Sequence, residues 1–451
     1  MLTHLIGYAQ FGPQLIVTSD ASLAEIVFAA DLDGDGDNDV LSASRGDSKI
    51  AWYENTNGHG SFGPEQLIGI LNQTTWTRAA DLDGDSDIDV LAISSPGDLI
   101  VWYENIDGQG SFSQQRIISA NVDLPTSAIV ADLDGDGDND VISASKNDNK
   151  VAWYENTNGL GDFGIQKIID IVSSANAVYS SDLDGDGDLD VLATSAGNKR
   201  LLWYENLNGL GNFGSARIIV ETPNFGGFVF VSSKDLDSDG DLDVISAEFG
   251  GNRVAWYENL DGLGNFGVQQ IIDSQITKPL EIYSTDLDND GDNDILSTSA
   301  VSALNQDSLI VWYENIDGQG SFGSPQIIID SLIFAKSVFA IDIDGDGDKD
   351  VLSASQNDNT ISWFENLTIL GIEESVFNSL KLYPNPAKES INIDSSNIRI
   401  NNLEIFTING VKILTDIAMK NDIDVSHLNS GVYVFKFHTE NGVIVKKIVK
   451  L

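Results

Sequence analysis

Between residues 11 and 366, short apolar stretches rich in β-branched and aromatic residues alternate with turns of glycine, asparagine and aspartate, and none carries a helical period. The first copy reads as four strands. Residues 26–30 (Ile-Val-Phe-Ala-Ala) enter an acidic turn and 40–44 leave it; 50–55 (Ile-Ala-Trp-Tyr-Glu-Asn) follow a polar turn; 65–68 close the unit after a Gly-rich turn and a Phe-Gly pair. The acidic turns begin at Asp31, Asp81, Asp132, Asp182, Asp235, Asp286 and Asp342, a period of about 50 residues that marks a repeat architecture. Four antiparallel strands, seven times over, predict an all-β fold, a seven-bladed β-propeller. The seventh repeat stops at Asn366 without its Phe-Gly turn and fourth strand, and Phe11-Gly-Pro-Gln-Leu-Ile-Val17 supplies that piece at the other end. The N-terminal strand is therefore expected to complete the last blade and close the ring, removing an exposed edge.

The chain carries 70 acidic and 24 basic residues, a net charge of −46. Five Asp in each of seven turns make up half of the acids, so the excess is local and not a solvating tail. No basic patch suggests nucleic acid. The absence of cysteine excludes thiol chemistry and leaves metal, not disulfides, to stabilise an exported chain. No apolar run is long enough to span a membrane. Residues 1–9 end in the small-x-small pattern Gly7-Tyr8-Ala9 and read as the remnant of a secretion signal, with Gln10 starting the mature chain.

Alternating carboxylates on a tight turn converge on one point and repel one another unless a hard cation joins them; six to eight oxygen ligands suit Ca²⁺. The candidate ligands are Asp31, Asp33, Asp35, Asp37 and Asp39; Asp81, Asp83, Asp85, Asp87 and Asp89; Asp132, Asp134, Asp136, Asp138 and Asp140; Asp182, Asp184, Asp186, Asp188 and Asp190; Asp235, Asp237, Asp239, Asp241 and Asp243; Asp286, Asp288, Asp290, Asp292 and Asp294; Asp342, Asp344, Asp346, Asp348 and Asp350. The seventh position of each turn is expected to ligate through its carbonyl. Up to seven structural Ca²⁺ would result, bringing the formal charge from −46 to −32. Position 6 is Gly in six copies and Ser86 in the second, so that site is expected to be the weakest. An EF-hand needs an acid at position 12, where this chain has Ser42, Ala92, Ser143, Ala193, Ser246, Ser297 and Ser353.

Turn, Trp-Tyr-Glu-Asn strand and Phe-Gly turn recur together over residues 11–366, and in this combination the chain resembles the FG-GAP-like, VCBS-type repeats of calcium-binding propellers. The resemblance implies the propeller and Ca²⁺ at the matching Asp positions. It implies no single ligand, because the family includes adhesins, lectins and some sugar-modifying enzymes.

Trp52, Trp102, Trp153, Trp203, Trp256, Trp312 and Trp363 recur at one strand position and read as inter-blade packing. Arg45-Gly-Asp47 occupies the place of ordinary turn residues in other copies. His59 has no partner that suggests a triad. Ligand recognition is expected on the side of the second-to-third turns and the links between blades, where copies differ. The residues that break the repeat there are Trp76, Arg78, Phe225, Phe228, Phe249, Arg253 and Tyr283, with an insertion at 301–308.

After a linker at 367–378, residues 379–451 read as a small Ig-like β-sandwich. Tyr383-Pro-Asn-Pro-Ala387, Asn409-Gly410, Gly431-Val-Tyr433 and the Lys-rich last strand resemble the C-terminal sorting domain of the Bacteroidetes type IX secretion system. That resemblance implies export by the secretion machinery and release or attachment at the cell surface. The reading is a non-enzymatic, monomeric surface protein (residues 10–366 forming the propeller) that binds an extracellular glycan or surface protein. A polysaccharide lyase or other sugar-modifying enzyme on the same repeats is the alternative, although no catalytic cluster of acid, base and Arg or Tyr can be assembled.

Overall fold

The computed structural model describes residues 11–222, 227–300, 308–367, 380–395, 400–407, 412–415, 422–429, 431–439 and 442–451. The chain divides into two compact units, 1–368 and 369–451. The expected signal remnant and the linker beyond residue 367 lie outside the described residues.

Among the described residues, the first unit forms seven four-stranded antiparallel sheets, six from consecutive strands (24–70, 74–119, 125–171, 175–221, 228–273 and 279–332). The seventh combines Ala335–Ile341, Asp350–Ser355 and Thr360–Phe364 with the N-terminal strand Leu15–Thr18. Phe11 bridges to Asn366 as Phe62 bridges to Asn55, so the N-terminal Phe takes the place of its six counterparts.

The second strand of each sheet, such as Asp39–Ser44, is buried at every position. Neighbouring sheets cover both of its faces, which is why it reads as a run of apolar and small residues instead of alternating. The seven repeated tryptophans are all buried. Among the described residues, all but Trp312 are seated on a glycine of the next sheet: Gly110, at φ +77°, lies so close to the Trp52 ring that a Cβ would come within 2.2 Å of it. Gly60 of sheet 1 stands in the same relation to Trp363 of sheet 7. The hydrophobic clusters likewise straddle sheet pairs. One joins Leu41 and Trp52 to Val90 and Tyr103, and another joins Val27 and Tyr53 of sheet 1 to Leu352 and Trp363 of sheet 7.

The first strand of each sheet, Ala24–Ala30 in sheet 1, runs from the side of the second-to-third turns toward the acidic turns. Its pairing slips by a residue near its start, between Ala24 and Ile26 and again between Thr74 and Trp76 in sheet 2.

In the second unit, Leu380–Tyr383, Ser390–Ser395 and Asp422–Asp424 form a three-stranded sheet. Lys412–Thr415, Ile400–Thr407, Gly431–Thr439 and Gly442–Lys450 form a four-stranded one. Ile391, Leu403, Ile405, Ile423, Phe435, Phe437 and Ile448 make their common core.

Candidate metal centres and inner cavity

Each acidic turn is wound by its own carboxylates. Asp31 accepts the N–H groups of Gly34 (2.7 Å) and Gly36 (3.0 Å), and Asp35 accepts that of Asp37 (3.0 Å). The ninth position, Asp39, opens the second strand, buried. Its Oδ2 accepts the N–H of Leu32 (3.0 Å) and its Oδ1 that of Asn55 (2.8 Å). Winding the turn this way draws carboxylate oxygens of Asp81, Asp83 and Asp85 within 4.8 Å of one another, and likewise those of Asp132, Asp134 and Asp136. In the first turn the group is Asp31, Asp33 and Asp39.

The donor set fits a hard cation. The Oδ1 atoms of Asp83, Asp134, Asp184, Asp237 and Asp288, all third positions, are buried and accept no hydrogen bond. An orphaned, buried carboxylate oxygen facing other carboxylates has no favourable state without a cation or a proton. Burial, reinforced by neighbouring Asp, pushes Asp83 and Asp237 up to about 6 and Asp288 to about 7. At the ninth position burial likewise raises Asp39, Asp89, Asp140, Asp190, Asp243 and Asp350 to about 7 and Asp294 to about 8, against the lowering effect of their N–H bonds. In six turns the seventh-position carboxylate points elsewhere: Asp37 lies against Gly58, and a Cβ there would meet it at 2.5 Å. In the last turn the Asp348 carboxylate is buried without a hydrogen bond, and burial, reinforced by Asp346 and Asp350, raises it to about 8. Ser86 holds φ at 78°, in the left-handed region that six glycines occupy at its position.

The Asn of each Trp-Tyr-Glu-Asn strand links these turns. Asn105 donates to the carbonyl of Leu32 in the preceding turn (2.9 Å), and Asn156 to that of Leu82 (2.9 Å). The Asn105 bond reaches a residue 73 positions earlier in the chain and so is not legible in the local pattern. The Glu before it turns toward its own sheet, as in the Glu104–Arg116 pair (2.9 Å), whose guanidinium stacks 4.5 Å from the Trp102 ring centre.

The residues that break the repeat divide. Trp76, Arg78 and Tyr283 come together, on first strands and not on the turns and links themselves; only Trp76 also borders a cavity on the side where recognition was expected. All three line a cavity of about 530 Å³ bordered by the first strands of all seven sheets. Arg78 and Tyr283 share one register position with Phe28, Ile129, Tyr179, Ser232 and Phe339, so each sheet contributes one side chain to a mixed ring. The Arg78 guanidinium sits 4.2 Å from the Trp76 ring centre and 5.2 Å from that of Phe28. It faces Glu281 (3.5 Å), whose other oxygen accepts the N–H of Val338 (3.0 Å). Burial lowers the Arg78 pKa and raises those of Glu281, Tyr179 and Tyr283; the Arg78–Glu281 attraction opposes the first two shifts. Trp76 Nε1 donates to the carbonyl of Ala128 (2.8 Å).

Phe228 is a correction: it is fully buried against Leu201, Trp203 and Tyr257, because its strand begins inside the core. Phe249 sits in the second-to-third turn of sheet 5 with Lys278 Nζ 5.6 Å from its ring centre, and Arg253 contacts Gln269 (3.5 Å); neither lines the cavity. Phe225 and residues 301–307 of the insertion lie outside the described residues. Sequence reasoning missed Glu281, although it stands at the register position of Trp76 and breaks the repeat just as sharply.

A second cavity, of about 450 Å³, opens toward the second-to-third turns, and Trp76, Ser127, Ala177, Phe230 and Glu281 border both.

An FG-GAP-like repeat model matches residues 31–92, 81–143, 132–193, 235–297 and 286–353. A secretion system C-terminal sorting domain matches residues 381–451, and it marks the protein for secretion and attachment to the cell surface. No curated protein matches the chain. Among solved structures, BBS1N in complex with ARL6DN, from crystals soaked with mercury, is similar at 11% identity and a TM-score of 0.54 over 81% of this chain and 99% of that one. The lead-soaked form gives 11%, 0.53, 80% and 97%. The V. cholerae biofilm matrix protein Bap1 aligns at 11% identity and 0.43 over 76% of this chain and 77% of that one. At such identities the likeness is one of fold, a β-propeller.

Proposed function

Because the chain belongs to the FG-GAP-like repeat family and ends in a sorting domain, we propose that it is a calcium-stabilised binding protein of the cell surface that recognises extracellular glycan. The seven sheets act as blades of one ring, a reading supported by the shared core of sheets 1 and 7 and by the N-terminal strand within sheet 7. Residues 10–366 are the propeller and 379–451 the sorting domain that meets the secretion machinery. Up to seven Ca²⁺ are held by the Asp turns, where the first, third, fifth and ninth positions supply carboxylates, the seventh its carbonyl, and the ninth also ties the turn to its strand. The cation supplies positive charge that offsets carboxylate repulsion and stiffens the rim. The protein acts as a monomer.

The inner cavity carries the binding reading. Trp76, Arg78, Glu281 and Tyr283 stand at two first-strand positions where the sheets differ from one another, and they converge in one concave site of small-ligand size. Aromatic faces beside a few fixed polar groups suit a sugar ring. A glycan array probed with the full chain and with Trp76→Ala tests this. Binding of a defined glycan that the variant loses supports it; no binding to any glycan, with turnover of a polysaccharide instead, overturns it.

A further inference from the structure

We infer that the second cavity selects saccharides bearing a single carboxylate, a refinement that rests on the glycan reading above. Its walls are the second-to-third turns of the first sheets and the starts of the first strands, the end of the channel away from the Asp turns. Four cations border it, Arg45, Lys146 and Lys336 directly and Arg78 just beneath through Trp76, against two carboxylates, Glu25 and Glu281. The side chains that line it thus carry a positive excess of two charges, on a chain whose formal charge is −46.

Those charges are not idle surface. Glu25 has only 2% of its side chain exposed and accepts from Arg45 Nε (3.0 Å), Lys336 Nζ (3.2 Å) and Gln356 Nε2 (2.6 Å). One buried carboxylate therefore fixes two cations and neutralises one of them. Arg45 engages Glu25 through Nε, leaving its two Nη groups for a fork-like contact with an incoming carboxylate. Lys146, exposed on the neighbouring wall, has no ion pair among the described residues. Below them, Glu281 already holds Arg78, so the unspent positive charge lies at the mouth and not on the floor.

The rest of the molecule limits how many charges a ligand can bring. At physiological ionic strength fields decay over about 8 Å, so a single carboxylate entering the mouth feels mainly the nearby cations. A polyanion extending across the turns around the mouth would meet their own acids, Asp47, Asp98 and Asp148. Charge at the mouth therefore selects an acidic sugar residue, and charge elsewhere rejects an acidic polymer. Trp76 between the two cavities supplies an apolar face for the ring.

The test is calorimetry and ligand-observed NMR on the calcium-loaded full chain with methyl galacturonide, methyl galactoside and acetate. The galacturonide is expected to bind at least ten-fold more tightly than the galactoside. Raising salt from 50 to 500 mM should weaken it several-fold, and Lys146→Gln, at an exposed side chain, should remove most of the preference without shifting Tm. Equal affinity for the two glycosides overturns this inference while the glycan reading stands, and so does an unchanged preference in Lys146→Gln. Full competition by acetate alone also overturns it, since the site would then read only an anion. Failure of either glycoside to bind, in a chain that captures no glycan on the array, overturns both readings.

Discussion

The side-chain amide of Asn55, in sheet 1, donates to the backbone carbonyl of Ile343 in the acidic turn of sheet 7, at 2.8 Å and across 288 residues of sequence. The same bond joins Asn156 to Leu82 one repeat back (2.9 Å). If the seam between last and first sheets is equivalent to an internal one, Asn55→Ala and Asn156→Ala should each cost about 1–3 kcal/mol, the usual result of orphaning a buried hydrogen-bonding group. Urea denaturation measures both. A negligible cost at Asn55 beside a full cost at Asn156 would mean the ring is open.

Calcium should matter more as pH rises. The ninth-position carboxylates, Asp39 and Asp140 among them, stand near 7 in the fold against an ordinary 3.8, chiefly through burial. Without metal the folded chain therefore holds extra protons, and the stability they confer, fully present below about pH 4, is lost as pH climbs through about 7. A bound cation keeps the same groups ionised at little cost. The gap in Tm between calcium and chelator should thus widen from pH 5 to pH 8, and a gap constant across that range would refute the assignment of these turns as metal sites.

Ser86 bears a backbone cost its counterparts avoid. Its φ of 78° is paired at Gly36 with 96°, and a Cβ added at Gly36 meets nothing within 4 Å, so the penalty at this position is conformational and not steric. Ser86→Gly is expected to stabilise by about 1 kcal/mol and to tighten calcium at the second turn; Gly36→Ser should do the reverse. Thermal melts in calcium read the first effect, calcium titrations the second.

Gly110 separates packing from backbone. Its φ of +77° and its 2.2 Å approach to the Trp52 ring both disfavour a side chain, so Gly110→Ala should destabilise by about 2–4 kcal/mol. Gly36→Ala, with the strain but no clash, should cost less than half of that in the same urea assay.

Among the described residues, Arg78 and Glu281 form the one ion pair lining the inner cavity, with 19% and 9% of their side chains exposed. Removing one partner strands the other, so Arg78→Met or Glu281→Gln should each cost about 3 kcal/mol, while the double variant should cost less than the sum. A double-mutant cycle by denaturation gives the coupling; strict additivity would show that the two charges do not interact.

Much of this molecule was legible along the chain. The Asp turns announce themselves because the carboxylates of one turn lie within nine residues, and the missing fourth strand of the last repeat was visible as the stray Phe-Gly segment at the start. Trp52 and its six counterparts read as core because strand context and repetition both pointed that way, and all are buried. The direction of Trp76 was not legible. A one-residue slip in strand pairing between Thr74 and Trp76 resets which face each later side chain takes, and nothing in the local pattern announces it. Phe228 was misread for a related reason: proximity to a variable link said nothing of how deep its strand begins.

The sequence by itself thus determined the repeat, its strands, its turns and the oxygen donors within each turn, all properties carried by contacts of short chain separation. Only the tertiary structure decided what meets along the channel. Arg78 and Glu281 are 203 residues apart, and they face each other because stacking the seven sheets brings one register position of each first strand to a common line. A side chain that breaks a local pattern can be seen in one dimension; its partner, chosen by the packing of sheets far apart along the chain, cannot.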